Sequence, residues 1–173
     1  MILWVNGTFG VGKTTLADRL VADDGTRRLF DPEHVGFMLG GNFRDVEFDD
    51  FQDLPSWRRL TPQILLEVHD ATGQDVVAPQ TVLREEYWNE LRGGLERAGL
   101  DVFHVVLQCD DAVLRRRIAD DAVEVDARDW RLGHIAVAAD ARTWWDAAAD
   151  LVVDTTDMTV DDVARTVSDA ASS

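Results

Sequence analysis

The sequence predicts an α/β fold built on a parallel sheet of about five strands, and three observations carry that expectation. Short apolar runs alternate with helical patterns along the whole chain: Ile2-Leu3-Trp4-Val5, Asp75-Val76-Val77-Ala78-Pro79, Val102 to Leu107 and Leu151-Val152-Val153-Asp154. These runs are apolar at successive positions, as in strands covered on both faces. A glycine-rich turn also follows the first run directly and opens a helix, the order of a strand, an anion-binding loop and a helix N-terminus.

That turn is Gly7-Thr8-Phe9-Gly10-Val11-Gly12-Lys13-Thr14, a match to G-x-x-x-x-G-K-[ST], the P-loop pattern. Its glycines let the backbone curl around a phosphate, and the N–H groups of loop and helix point at the α- and β-phosphates. Lys13 is the only lysine in the chain and reaches the β/γ-phosphates, Thr14 offers a hydroxyl to Mg²⁺, and Thr15 is in reach of the α-phosphate. Leu16, Leu20 and Val21 give the following helix, Thr14 to Ala22, its apolar side.

Gly25 breaks that helix, and Arg28-Leu29-Phe30 leads into Asp31-Pro32-Glu33, which puts Asp31 at the end of a second strand. Ligands of open α/β sheets gather at the carboxyl ends of strands, so Asp31 is placed toward the γ-phosphate. It is either a base for an acceptor hydroxyl, a helix N-cap, or a group that orders the Mg²⁺ surroundings. The segment 34–60 reads as irregular, with Gly36, Gly40 and Gly41 before an acidic-aromatic stretch, and is either an acceptor-binding segment or a solvated connector. Ser56 is the expected N-cap of a helix to His69, with Leu60, Ile64, Leu65 and Val68 as its apolar face.

The third strand ends in Pro79-Gln80-Thr81, whose polar side chains face the same cleft, and Gly99 stops the helix from Arg84 to Ala98. His104, inside the fourth strand, reads as a core histidine. Arg115-Arg116-Arg117, on the helix Asp111–Asp120, are followed by Arg128, Trp130 and Arg131 around an acidic patch, the composition of a lid over 117–134 that brings arginines onto a phosphoryl group. A helix over 135–148 carries Trp144 and Trp145, for core packing first and an interface second, and a last helix starts near Thr159.

Composition bounds the function. At 173 residues with 46% hydrophobic residues, the chain is expected to form a single domain, 1–173. A net charge of −16 argues against nucleic acid or an anionic membrane as the main partner. Cys109 has no partner for an internal disulfide, the start has no signal-type region, and no apolar run approaches membrane-spanning length, so a cytoplasmic location is expected. The scattered His34, His69, His104 and His134 lack metal-ligand spacing.

Short connections and right-handed crossovers make a three-layer P-loop NTPase sandwich the natural architecture. There is no N-K-x-D guanine motif, and Asp70-Ala71-Thr72-Gly73 precedes a strand where a D-x-x-G switch would follow one. What remains resembles the nucleoside-monophosphate and small-molecule kinases. Within that group the chain resembles the tunicamycin-resistance ATP-binding protein family, through Ile2 to Gly7 with Phe9-Gly10, Asp31-Pro32-Glu33 with Val35-Gly36, and Asp50-Phe51-Gln52-Asp53 with Pro55 and Trp57-Arg58. Later matches are Pro79, Thr81, Leu114, Arg117, Trp130, Ile135 and Asp154.

The resemblance implies an ATP- and Mg²⁺-dependent phosphotransferase acting on a hydroxyl of a small molecule, a nucleoside-like antibiotic such as tunicamycin being one candidate. The alternative is an ATP-binding protein that sequesters the small molecule without transfer. The implied nucleotide site is Gly7 through Thr15 with Arg117, Asp154 and Thr155, with Thr14 on the metal; Lys13, Asp31 and Arg117 would act in catalysis, and Glu33, Arg58 and Gln80 would hold the acceptor. Arg58 has a surface salt bridge as its other reading. The position four beyond Arg117 is Asp121, where related lids carry a second arginine, so Arg128 or Arg131 would supply that charge.

Overall fold

The computed structural model describes residues 1–121 and 128–173. Five strands form one parallel sheet in the order β2-β3-β1-β4-β5, with β1 Ile2–Gly7 at its centre. β2 is Arg27–Leu29, β3 Asp75–Pro79, β4 Val102–Gln108 and β5 Leu151–Asp154. Central placement explains why β1 is apolar at successive positions: it pairs with β3 (Leu3 beside Val77) and with β4 (Leu3 beside Phe103).

The two faces of that strand feed two cores. Leu3 and Val5 pack with Val77, Val105 and Leu107 against Leu16 and Leu20 of α1, Lys13–Asp23, and Val163 and Val167 of α7, Val160–Ala171. Ile2 and Trp4 pack with Val76 and Ala78 against Trp57 and Leu65 of α3, Pro55–Thr72, and Trp88 and Leu91 of α4, Glu85–Arg97. Alternate residues of one strand thus face opposite helical layers, which makes the expected three-layer sandwich. α5, Asp111–Asp120, and α6, Arg128–Ala148, complete the set after β4.

Three local expectations are corrected. The glycine-bearing start of 34–60 is helical, as α2, Glu33–Asn42. Glycine is unfavourable in a helix, but here it admits a neighbour: a Cβ on Gly36 would lie 2.6 Å from the Phe51 ring. α3 is opened by Pro55 in its first turn with Leu54 at the N-cap, so Ser56 lies inside the helix. The helix expected over 135–148 begins at Arg128.

His104 is fully buried, with its ring stacked 4.0 Å from that of Trp88. Nδ1 lies 3.2 Å from the Ala148 carbonyl and Nε2 3.4 Å from Asn6 Nδ2, which suits a neutral ring donating through Nδ1 and accepting at Nε2. Burial lowers its pKa from 6.5 to about 4. Because the folded value lies below the unfolded one, the stability it contributes is complete above pH 6.5 and is lost as pH falls toward 4, up to about 3 kcal/mol. Unfolding free energies measured across that window should fall more steeply for the wild type than for His104→Gln; equal slopes would contradict the assignment.

Candidate active site

The P-loop turns at the carboxyl end of β1. Gly7, Gly10 and Gly12 all have positive φ, at 135°, 77° and 105°. Gly7 is also a close approach, since a Cβ there would sit 2.5 Å from the Leu107 carbonyl oxygen of β4. Gly12 stands at the N-cap of α1 with no side-chain cap, so the first N–H groups of the helix are presented to whatever enters the loop. Lys13 Nζ donates to the Thr8 carbonyl at 3.0 Å and lies 5.4 Å from the centre of the Phe9 ring.

A hydrogen-bonded scaffold holds this loop from the next strand. Thr81 Oγ1 donates to the Gly7 carbonyl at 2.8 Å, and Asn6 Oδ1 accepts from the Val82 N–H at 2.9 Å. The indole N–H groups of Trp144 and Trp145 donate to the Leu83 and Val82 carbonyls, so these residues of α6 brace the segment after β3 as well as filling the core.

Lys13, Thr14 and Thr15 share one cleft of about 940 Å³ with Asp31, Glu33, Gln80, Arg117 and Arg131. Gly10 and Gly12 line it too, with Phe9 at its wall. Two elements therefore bring further cations to the cleft that Lys13 lines: α5 with Arg116 and Arg117, and the first turn of α6 with Arg131. Arg117 is oriented by Thr155, through Nη1 to Oγ1 at 3.1 Å and Nη2 to the carbonyl at 2.8 Å. Arg131 is oriented by Asp121, Nη1 to Oδ2 at 2.7 Å. Asp121 thus holds an arginine at the cleft from the position where a second one was sought.

Asp31 lies two residues past β2, and its Oδ1 accepts the Glu33 N–H at 2.9 Å at the start of α2. One carboxylate oxygen is therefore engaged as a cap while the residue lines the cleft. Thr155 lines a second volume of about 320 Å³ with Gly10, Thr15, Arg117 and Met158, on the α7 side of the loop. Asp154 is exposed and turns to Thr156, to whose N–H and hydroxyl it accepts; those bonds hold its carboxyl below the usual range. Of the loop residues, Val11 joins the core, and Thr8 is buried.

Arg58 is a correction. It is not among the residues lining the cleft, and its charge is engaged elsewhere: Nε meets Glu90 Oε2 at 2.8 Å, Nη1 donates to the Gln52 carbonyl, and the guanidinium lies 4.1 Å from the Tyr87 ring centre. Gln52 Nε2 in turn donates to the Thr81 carbonyl at 2.9 Å, so Arg58 supports the loop scaffold from two residues away. Arg58→Ala should lower unfolding stability by about 2–3 kcal/mol, since it strips bonds from buried groups, and leave MgADP affinity unchanged. Calorimetric melting and nucleotide titration of the same sample check both halves.

The acidic-aromatic stretch within 34–60 was one candidate for the acceptor, but its individual aromatic residues were not singled out in the sequence. Phe37, Phe48 and Phe51 line a volume of about 450 Å³ that shares Phe9, Glu33, Gln80 and Trp130 with the cleft. Trp130 contacts the loop directly, its ring 4.6 Å from that of Phe9. Of the segment 117–134 expected as a lid, residues 122–127 lie outside the described residues; 117–120 close α5 and 128–134 open α6. No cluster of potential metal ligands occurs among the described residues, and no described helix is long and apolar enough to cross a membrane.

The site suits a nucleoside triphosphate with Mg²⁺ on its own geometry: uncapped helix N–H groups, a positive-φ position at Gly12 with open space where a Cβ would be, and a hydroxyl at Thr14 beside Lys13.

A family model described as an AAA domain matches residues 2–132. Among solved structures, the tunicamycin resistance protein of Deinococcus radiodurans superposes with a TM-score of 0.76 at 25% identity, over 98% of this chain and 94% of that one. Shikimate kinase from Bacteroides thetaiotaomicron gives 0.66 at 16% identity, over 100% and 99% of the two chains. A gluconokinase from Sinorhizobium meliloti gives 0.65 at 14%, over 98% and 90%; these two share the fold. No curated protein matches the sequence significantly. The fold class and the resemblance read from the sequence are both met by these likenesses.

Proposed function

The chain belongs to the AAA-domain family matched over residues 2–132, and on that premise we propose that it is an ATP-dependent phosphotransferase acting on a hydroxyl of a small molecule. The observation that carries the reading is the meeting in one cleft of an anion-binding loop, two oriented arginines and a carboxylate. Tunicamycin is the first acceptor to try, because a protein of that name in Deinococcus radiodurans has the same fold at 25% identity.

In this proposal ATP supplies the phosphoryl group, and Mg²⁺, when bound, would neutralise part of its charge. The first N–H groups of α1 bind phosphate oxygens, and Lys13 exchanges the Thr8 carbonyl for the γ-phosphate. Thr14 would hold Mg²⁺ through its hydroxyl. Arg117 and Arg131, already fixed by Thr155 and Asp121, meet the charge that develops on the transferring group without reorganising. Asp31 accepts the proton of the attacking hydroxyl, with one oxygen fixed by the Glu33 N–H so that the carboxylate is oriented. Thr155 and the volume beside Met158 receive the nucleoside end.

Asp31→Asn keeps the cap but removes the base. With ATP, Mg²⁺ and a phosphorylatable acceptor, it should lower kcat by roughly 10²–10⁴ while the KM for ATP stays within about twofold. A wild-type kcat would leave Asp31 only its structural role at the start of α2.

A further inference from the structure

The walls on the acceptor side have one chemical character. Phe37, Phe48 and Phe51 supply aromatic surface, and the charged groups that line this volume are Glu33, Asp49 and Asp50, with no arginine or lysine among the described residues. An adjoining volume of about 400 Å³ shares Phe9, Asp49, Asp50 and Gln52 with it and adds Asp53, Asp140, Arg84 and His134. Arg84 donates to the Tyr87 hydroxyl at 2.8 Å and lies 3.8 Å from Asp53, so its charge is already met. Lys13, Arg116, Arg117 and Arg131 thus line the cleft around the loop, whereas the charged residues lining the aromatic volume are carboxylates.

Gln80 points to a ligand independently of those acids. It is 4% exposed and lines both the cleft and the aromatic volume, and its Oε1 has no hydrogen-bond partner among the described residues. Its Nε2 donates to the Thr81 carbonyl at 3.2 Å, which leaves the oxygen as the end that waits for a donor. Burial also pushes the Asp50 carboxyl upward, an effect larger than the opposing pull of the Gln52 N–H, His134 and Arg84.

Taking the phosphotransfer reading as its basis, we propose that the acceptor is a ring-bearing alcohol that carries no anionic group, that an ammonium-bearing one is preferred, and that it donates a hydrogen bond to Gln80 Oε1. Its ring lies on the phenylalanine wall, where flat apolar surface is buried, and a positive charge sits among Glu33, Asp49 and Asp50. A carboxylate, sulfate or phosphate in the same place meets like charges on Asp49 and Asp50, with no arginine or lysine lining the volume among the described residues. The reaction forms one bond, acceptor oxygen to γ-phosphorus, and breaks one, γ-phosphorus to the bridging oxygen of ADP; the hydroxyl proton leaves to Asp31.

Three probes of matched size test this: phenylalaninol, phenylpropanol and phenyllactate, each with one phenyl ring and one hydroxyl, bearing respectively a positive, no and a negative charge. Their dissociation constants are measured by calorimetry on the full chain loaded with MgADP at low ionic strength. Phenylalaninol should bind at least about tenfold tighter than phenyllactate, with phenylpropanol between them, and the gap should shrink several-fold in the double variant Asp49→Asn, Asp50→Asn. Gln80→Leu should weaken all three, since it removes the acceptor of their shared donor. Phenyllactate binding as tightly as phenylalaninol, or no binding by any probe, would overturn the proposal. Binding is read separately from turnover, so ADP formation from ATP in parallel tubes tests the phosphotransfer reading on its own.

Discussion

Lys13→Ala should reduce acceptor-dependent ADP formation by roughly 10³-fold or more, with the fold intact. The side chain is partly buried beside the loop, donating to the Thr8 carbonyl, and α1 begins at this residue. Alanine favours that helix, so no loss of stability accompanies the substitution. Lysine is a flexible point charge, and its present bond to a loop carbonyl is a weak neutral-acceptor contact that a phosphate oxygen readily replaces. Lys13→Arg should not rescue, because the larger planar head must fit beside the Phe9 ring, 5.4 Å from the ammonium. Initial rates and thermal melts of wild type, Lys13→Ala and Lys13→Arg are sufficient; a Lys13→Ala rate within tenfold of wild type would remove the lysine from the chemistry.

The second large effect falls on stability. Gly7→Ala should cost roughly 3–5 kcal/mol, because two penalties coincide: φ is 135°, and the new methyl would sit 2.5 Å from the Leu107 carbonyl oxygen. That oxygen belongs to the strand paired with β1 at this register, so it cannot give way without breaking the sheet. Gly12→Ala is the matched comparison, since φ is 105° but nothing stands within 4 Å of its Cβ. It should cost only about 1–2 kcal/mol of backbone strain while still obstructing phosphate approach. Chemical denaturation of both variants should therefore separate them clearly in stability and leave both deficient in nucleotide binding. Equal losses of stability would contradict the close approach at Gly7.

The site was legible in the sequence where one local segment carries it. β1, the loop and α1 follow each other without interruption, and their chemistry depends on spacing within eight residues, Gly7 to Thr14. The end of α4 at Gly99 was equally legible, because φ there is 78° and glycine takes it without strain. α2 was not, since helix propensity condemns Gly36, Gly40 and Gly41, and only the Phe51 ring against Gly36 shows why a glycine is required. Arg58 looked like an acceptor ligand beside Trp57. Its true partners, Glu90 and Tyr87, come from α4 and are brought to it by helix packing that no local pattern records. The packing itself uses a proline inside α3: Pro62 fits against Gly94, whose Cβ would meet it at 2.8 Å.

The same limit applies to the acceptor wall. Phe9, Phe37, Phe48, Phe51 and Trp130 come from the loop, α2, the stretch before α3 and α6, and become one surface only in the fold. Asp121 shows the converse, an acid standing where related lids carry a second arginine. In space it fixes Arg131 at the cleft, so α6 adds a cation to those that α5 brings.

The most direct test of phosphotransfer is mass spectrometry of tunicamycin incubated with the purified protein, Mg²⁺ and ATP, with ADP followed in the same tube. Our account predicts a product heavier by one phosphoryl group, formed in step with ADP and absent with Lys13→Ala. Retention of unmodified tunicamycin by the ATP-loaded protein without ADP formation would contradict it and favour sequestration.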